Sequence, residues 1–193
     1  MADSTDTKET AASNPQEPPL RKFSWSYWLI LTTIIGTFAI YFIRRGPQAT
    51  ALAPSKISLL DARFGFTPVE ALRTLSAIGP EGRKIYAEIN KVDFIAFPFF
   101  LREYLLNTFP PTTRTRDRIR EALVNTYFLG DMSENLFVAV MLKAYPRSPD
   151  FVAWGGCVGN VVKFSGIYAS LLSIFYEIFR WFTSRNEKTE KTE

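Results

Sequence analysis

The chain has 193 residues, of which 47% are hydrophobic and 15% aromatic, and its formal net charge is +4. The length fits one domain, and the spread of basic residues along the chain indicates membrane-flanking charge rather than a nucleic-acid surface. One cysteine excludes an intrachain disulfide, and the absence of histidine excludes the commonest general base and the His-based nucleophile pairs and metal sites. We expect no cofactor and no metal; catalytic residues are not assigned, and these absences favour a non-enzymatic protein.

The first two segments are a polar tail and an apolar helix. Residues 1–20 are rich in Pro, Ser, Thr and acids, which predicts a disordered tail and argues against an Arg-rich mitochondrial transit peptide. Residues 24–43 carry no charge and are flanked by basic pairs and by aromatic residues at both ends. This pattern is typical of a transmembrane helix, and we expect Gly46-Pro47 to end it. A linker over residues 47–66 follows.

A short amphipathic helix is predicted at about residues 67–78. Thr67 is placed to be its N-cap, Pro68 its first residue, and Glu70 the partner of Thr67 in a capping box. We expect this helix to lie along the membrane surface or to cap a helix bundle, because it is too short and too charged to span. Its predicted apolar face consists of Leu72, Leu75 and Ile78.

Three further spans are predicted, at about residues 88–109, 121–143 and 151–180. Asp93 and Arg102 bracket the apolar centre of the first of these, which makes it the weakest span, and Pro98 should kink it. Ser148 and Pro149 give N-cap and first-turn chemistry to the last span. Residues 185–193 form a charged tail, so the membrane domain covers about residues 21–184.

The predicted fold is all-α: an integral membrane four-helix bundle with one short interfacial helix. Short connections predict that consecutive helices are antiparallel neighbours and that both termini lie on one side. Lys and Arg are nearly balanced between the two sides, and the basic cluster at residues 114–120, in a short loop, favours the cytosol for the termini. We expect the lipid bilayer as a partner and no nucleic acid, and other membrane proteins are left open as partners. An ER-like endomembrane is the expected location, and a mitochondrial membrane is left open.

Polar residues recur at one depth of this bundle. Asp131, Glu134 and Asn135 share one face of the third span, because they are spaced i, i+3, i+4. If the hairpin turns near Arg147, Asp131 lies level with Lys163. Folding the chain back about Pro111 in the same way adds residues from the second span. The predicted intramembrane polar layer is Asn90, Asp93, Asp131, Glu134, Asn135, Asn160 and Lys163.

The layer carries more acids than bases, and an ionised group in hydrocarbon costs about 2.5–3.5 kcal/mol. We expect Asp131 and Lys163 to form an ion pair. The remaining acid requires that Arg102 joins the layer, that a carboxyl is protonated, that water enters, or that a cation binds. Small residues on the Lys163 face should let the last two helices approach closely; these are Gly156, Gly159, Gly166 and Ser170.

Several stretches resemble a pattern found in small four-span membrane proteins of unknown function. They are "FGFTP" at 64–68, "IGPEGRKIY" at 78–86, "DMSEN" at 131–135 and the late Lys163. The resemblance covers roughly residues 60–165 and implies four helices with the polar layer as a unit. It implies no activity.

Two functional hypotheses follow. The first is a non-enzymatic accessory, assembly or scaffold protein in which the polar layer holds the helices together. The second is a small transporter, or a lipid-active membrane enzyme, that uses the acids and Lys163 to handle protons or ions.

Overall fold

The computed structural model describes residues 24–51, 53, 57–108 and 114–190. Within them the chain is all-α, with no strand, as the sequence predicts. The predicted tail at residues 1–20 and the turn at Pro110-Pro111 lie outside the described residues. The helices are α1 (Trp25–Thr50), α2 (Pro68–Ala77), α3 (Gly79–Ile95), α4 (Phe97–Asn107), α5 (Arg114–Ala144) and α6 (Asp150–Glu190), with a 3-10 turn at Leu60–Ala62.

Helix α1 continues past Gly46-Pro47, so the prediction that this pair ends the helix is wrong. Pro47 lies inside α1, near its C-terminal end. It removes only one intrahelical hydrogen bond there, and its fixed φ suits a helix. The last turn gains other contacts, since Gln48 accepts a hydrogen bond from Arg45 at 2.8 Å and Ala49 is fully buried. A Cβ added at Gly82 would overlap the Ala49 carbonyl, so glycine lets α3 approach α1 closely.

Helix α2 begins as the sequence predicts, and it packs against α3 and α6. The Thr67 side chain accepts a hydrogen bond from the Glu70 N–H at 3.2 Å, and the Thr67 N–H donates to the Glu70 carboxylate at 2.7 Å. Its packing against α3 and α6 buries Ala71, Leu75 and Ile78. Leu72 was expected on this face but is 48% exposed, because the buried stripe follows the i, i+4 positions 71 and 75.

The second predicted span is two helices. Helix α3 ends at Ile95, Ala96 departs from helical geometry with φ −126°, and α4 starts at Phe97 with Pro98 in its first turn. Pro98 has no N–H, and its ring would clash with the carbonyl of residue 94 in a continuous helix. The expected kink at Pro98 is therefore a break at Ala96 that divides the predicted span into α3 and α4.

Helices α5 and α6 form the most extensive interface as an antiparallel hairpin. Several contacts along it join two residues whose distances from Arg147 in the sequence differ by at most one residue. Arg116 Nη1 lies 3.6 Å from Glu177 Oε1, and a Cβ on Gly159 would lie 2.6 Å from the Glu134 nitrogen. The predicted register and the close approach through small residues are both confirmed. Helix α1 packs mainly on α3 and α4, which in turn pack on α5.

Two helices of the described chain are long and apolar enough to cross a membrane. They are Trp25–Thr50 and Asp150–Arg180, with mean hydropathies of 1.7 and 1.4. Helices α3, α4 and α5 do not pass the same test. Membrane association is thus supported by two helices, on length and composition.

Candidate functional site

The seven residues of the predicted layer come from three helices, and the fold buries all of them. None is more than 9% exposed. Helix α3 contributes two, α5 three and α6 two, and we call the set the polar cluster: Asn90, Asp93, Asp131, Glu134, Asn135, Asn160 and Lys163.

Lys163 is the only cation of the polar cluster. Its Nζ lies 3.2 Å from Asp131 Oδ1, which confirms the predicted ion pair. The same ammonium group also pairs with Glu134 and donates a hydrogen bond to the Asp61 carbonyl at 3.4 Å. One ammonium group therefore holds two carboxylates of α5 and a backbone carbonyl from the loop before α2.

The amides of the polar cluster link the helices to one another. Asn160 Nδ2 donates to Glu134 Oε1 at 2.6 Å, which confirms that these residues are level. Asn90 Nδ2 donates to Asn135 Oδ1 at 2.9 Å, so Asn90 meets the residue after the one predicted. Each contact joins two helices, so the polar cluster ties α3, α5 and α6 together.

Arg102 does not reach the polar cluster, and the suggestion that it balances the acids is wrong. Its guanidinium donates to Asn125 at 2.8 Å and to Glu103 at 2.6 Å. Asn125 lies six residues before Asp131 on α5, about 9 Å along the helix axis. Arg102 lies nine residues after Asp93, about 13 Å further along the helices at 1.5 Å per residue, so it meets α5 at a different level from the polar cluster.

Two buried tyrosines and Asp61 also belong to this region, and sequence reasoning missed them. The Tyr127 hydroxyl donates to Asp131 Oδ2 at 3.0 Å, and the Tyr86 hydroxyl donates to Asp61 Oδ1 at 3.1 Å. Tyr127 could have been found, since it lies four residues before Asp131 on the same helical face. Asp61 lies in the short 3-10 turn before α2, where no helical periodicity indicates which side chains are buried.

The loop that contains this turn, residues 57–67, lies across α6 and is here called the strap. The Gly65 N–H donates to Asn160 Oδ1 at 2.6 Å, and the Phe66 N–H donates to the Cys157 sulfur at 3.5 Å. Gly65 has φ +80°, a conformation that side chains disfavour. The predicted linker is thus a structural element that covers Asn160 and brings Asp61 to Lys163.

A cleft of about 540 Å³ opens between α1, the strap and α3. Its charged lining residues are Asp61, Asp93 and Lys163, and its apolar walls include Phe42 and Phe97. Asp131 and Glu134 do not line it and contact Lys163 from α5. The arrangement gives a small polar molecule or ion a route to part of the polar cluster.

The charges of the region do not balance. Four carboxyl groups, on Asp61, Asp93, Asp131 and Glu134, surround the single ammonium group of Lys163. In the described part of the chain, neither Asp61 nor Asp93 forms an ion pair. Nor does any group of three or more acid or Cys side chains there have the geometry to hold a metal ion.

Comparisons with family models, with curated proteins and with solved structures find no match for this chain. The resemblance to small four-span membrane proteins therefore depends on the motifs quoted above alone.

Proposed function

We propose that the chain is an integral membrane protein with four membrane passes: α1, α3 together with α4, α5, and α6. At 1.5 Å per residue, the 31 residues of α5 reach about 46 Å, well beyond a hydrocarbon core of about 30 Å. The charges that lower the hydropathy of α3 and α5 include Asp93, Asp131 and Glu134, which are buried in the protein rather than exposed at its surface. An exposed apolar surface on α1, α5 and α6 supports lipid contact; it includes Leu29, Ile30, Leu129, Leu136, Leu172 and Phe175.

The number of passes is testable with two single thiols. With α1 and α6 alone crossing the bilayer, residues 118 and 147 would lie on the same side. With four passes they lie on opposite sides. In a Cys157→Ser background, Arg118→Cys and Arg147→Cys should therefore be labelled by an impermeant maleimide from opposite faces, and labelling from one face would contradict the proposal. We also propose that the termini are cytosolic and that the membrane is ER-like. Microscopy against ER and mitochondrial markers tests the identity of the membrane.

We further propose that the protein is non-enzymatic and that the cleft floor binds and releases a proton or a small monovalent cation. The single observation that carries this proposal is Asp93. Its carboxyl is buried, lines the cleft, and forms no ion pair within 4.0 Å among the described residues, since the nearby Lys163 pairs with Asp131 and Glu134 instead. A charged carboxylate in that position is costly, so a proton or a cation from the cleft should neutralise it.

Infrared spectroscopy of the protein in lipid nanodiscs tests this role. A protonated carboxyl band at neutral pH should be present in wild type and missing in Asp93→Asn. Asp150→Asn, which removes an exposed acid at the start of α6, is the matched control and should keep the band. If a cation binds instead, Na⁺ or K⁺ should raise the melting temperature relative to choline, and only when Asp93 is present. If wild type shows neither the carboxyl band nor the cation effect, the proposal is contradicted.

A second candidate is an accessory, assembly or scaffold role, with the polar cluster as internal glue. The observation in its favour is that the amides and Lys163 pair with groups on other elements. Under this role Asp93→Asn changes stability without loss of a proton or cation signal. Affinity purification from native membranes should then recover a defined partner protein.

A further inference from the structure

A second cleft, of about 430 Å³, lies between α3 and α5, and none of the charged members of the polar cluster lines it. We call it the α3–α5 groove. It is lined by Arg83, Lys84, Ala87, Asn90, Lys91, Phe94, Ile95, Leu136, Ala139, Leu142 and Lys143.

The charge of the α3–α5 groove has one sign. Four cations line it and no acid does. Arg83 is already engaged, because it donates to the Leu75 carbonyl at 2.8 Å and lies 3.9 Å over the Tyr145 ring. The other three, Lys84, Lys91 and Lys143, are exposed and form no ion pair in the described residues. The nearby acid Glu88 pairs with Arg45 of α1. Three cations are thus available to an anion.

The remainder of the α3–α5 groove is apolar. Phe94, Ile95, Leu136 and Leu142 line it, and Ile95 and Leu136 are 59% and 52% exposed. Lys84 and Lys143 lie near the start of α3 and the end of α5, at the same end of the antiparallel pair. Ile95 is eleven residues from Lys84, about 16 Å along α3, and Lys91 lies between them, so this length has to hold a headgroup and the first part of an acyl chain.

We propose that the α3–α5 groove binds an anionic membrane lipid. Its headgroup phosphate lies among Lys84, Lys91 and Lys143, and one acyl chain lies against Phe94 and Leu136. Opposite charge selects the headgroup, and apolar contact holds the chain. The proposal rests on the membrane location argued above and is independent of the role of Asp93. The proposed ligand is one class of lipid, bound at a specific site in addition to the surrounding bilayer.

Native mass spectrometry of the full-length chain in detergent tests the proposal. The probes are dioleoyl-phosphatidylglycerol, dioleoyl-phosphatidylcholine and soluble glycerol 3-phosphate. The groove variant is Lys84→Gln/Lys91→Gln/Lys143→Gln. The matched control, Arg44→Gln/Arg73→Gln/Arg147→Gln, removes three exposed cations outside the groove. Ala139→Trp fills the apolar part of the groove without a change of charge.

Wild type should retain phosphatidylglycerol at least about tenfold better than phosphatidylcholine, from the attraction of three lysines. The groove variant should retain the two lipids about equally. Ala139→Trp should lower the retention of both lipids, and the control variant should behave as wild type. Three results would each overturn the proposal: equal loss in the control, unchanged retention in the groove variant and in Ala139→Trp, or competition by glycerol 3-phosphate as strong as by the lipid.

Discussion

Replacement of Lys163 by methionine is the sharpest perturbation of the polar cluster. Methionine matches the four-atom stem of lysine and lacks the ammonium group, which lies 3.2 Å from Asp131 and also pairs with Glu134. Both carboxylates then lose their cation while they remain buried. Asp131 keeps the hydrogen bond from Tyr127, and Glu134 keeps the one from Asn160.

The expected loss is about 3 kcal/mol of unfolding free energy. Removal of one partner from a buried ion pair typically costs about 3–5 kcal/mol, because a charge stays behind unpaired. We choose the lower end because the retained hydrogen bonds compensate in part. If Asp131→Asn and Glu134→Gln are added to Lys163→Met, no unpaired charge remains among these three residues. The triple variant should be at least about 2 kcal/mol more stable than Lys163→Met alone.

Unfolding by SDS in mixed micelles, followed by tryptophan fluorescence, measures both differences. Arg44→Met is the matched control, because it removes an exposed cation at the end of α1. It should change the unfolding free energy by less than about 0.5 kcal/mol. The reasoning is refuted if Lys163→Met is as mild as Arg44→Met, or if the triple variant is less stable than the single one.

Three further predictions concern packing, a buried hydrogen bond and pH. Gly166→Ala should lower the unfolding free energy by about 1–3 kcal/mol, because its Cβ would lie 2.6 Å from the Tyr127 Cα. The Cβ of Gly36→Ala meets no atom of another element within 4 Å, so this control should be neutral or stabilising in the same SDS titration. Equal effects of the two would contradict close α5–α6 packing. Tyr127→Phe removes the hydrogen bond to Asp131 and should cost about 1 kcal/mol in that titration, and no loss would show that the bond is dispensable. The Thr67 N–H, and then its hydroxyl, hold the pKa of Glu70 below its usual 4.5. Glu70 therefore stabilises the fold above that pH and stops doing so as the pH falls through its folded pKa. The melting temperatures of wild type and Glu70→Gln should differ at pH 7 and converge at low pH, and a constant difference would contradict this.

Much of the candidate site could be predicted from local chemistry and from the geometry of a helical hairpin. The capping box at Thr67 depends on residues three apart, and the Asp131–Lys163 pair depends on two regular antiparallel helices joined by one short turn. Equal rise along both helices is then enough to match their depths.

The rest depended on irregular backbone. Arg102 follows the break at Ala96 and contacts Asn125, and no pattern in the sequence gives the direction of a helix after such a break. The strap was missed because its contacts join distant residues, as Asp61 and Lys163 do. Its position depends on single hydrogen bonds and on one glycine with positive φ, Gly65, rather than on a periodic apolar face.

Water access to residue 93 tests the central claim most directly, namely that the cleft leads from solvent to a buried acid inside the membrane. In a Cys157→Ser background, the Asp93→Cys thiol should react with a small charged methanethiosulfonate reagent in proteoliposomes. Leu129→Cys is the control, since residue 129 is two positions from Asp131 on α5 and 62% exposed on the outer surface, where the proposal places lipid. We predict a reactive thiol at 93 and an unreactive one at 129. An unreactive thiol at 93, or equal reaction at both positions, would contradict the account.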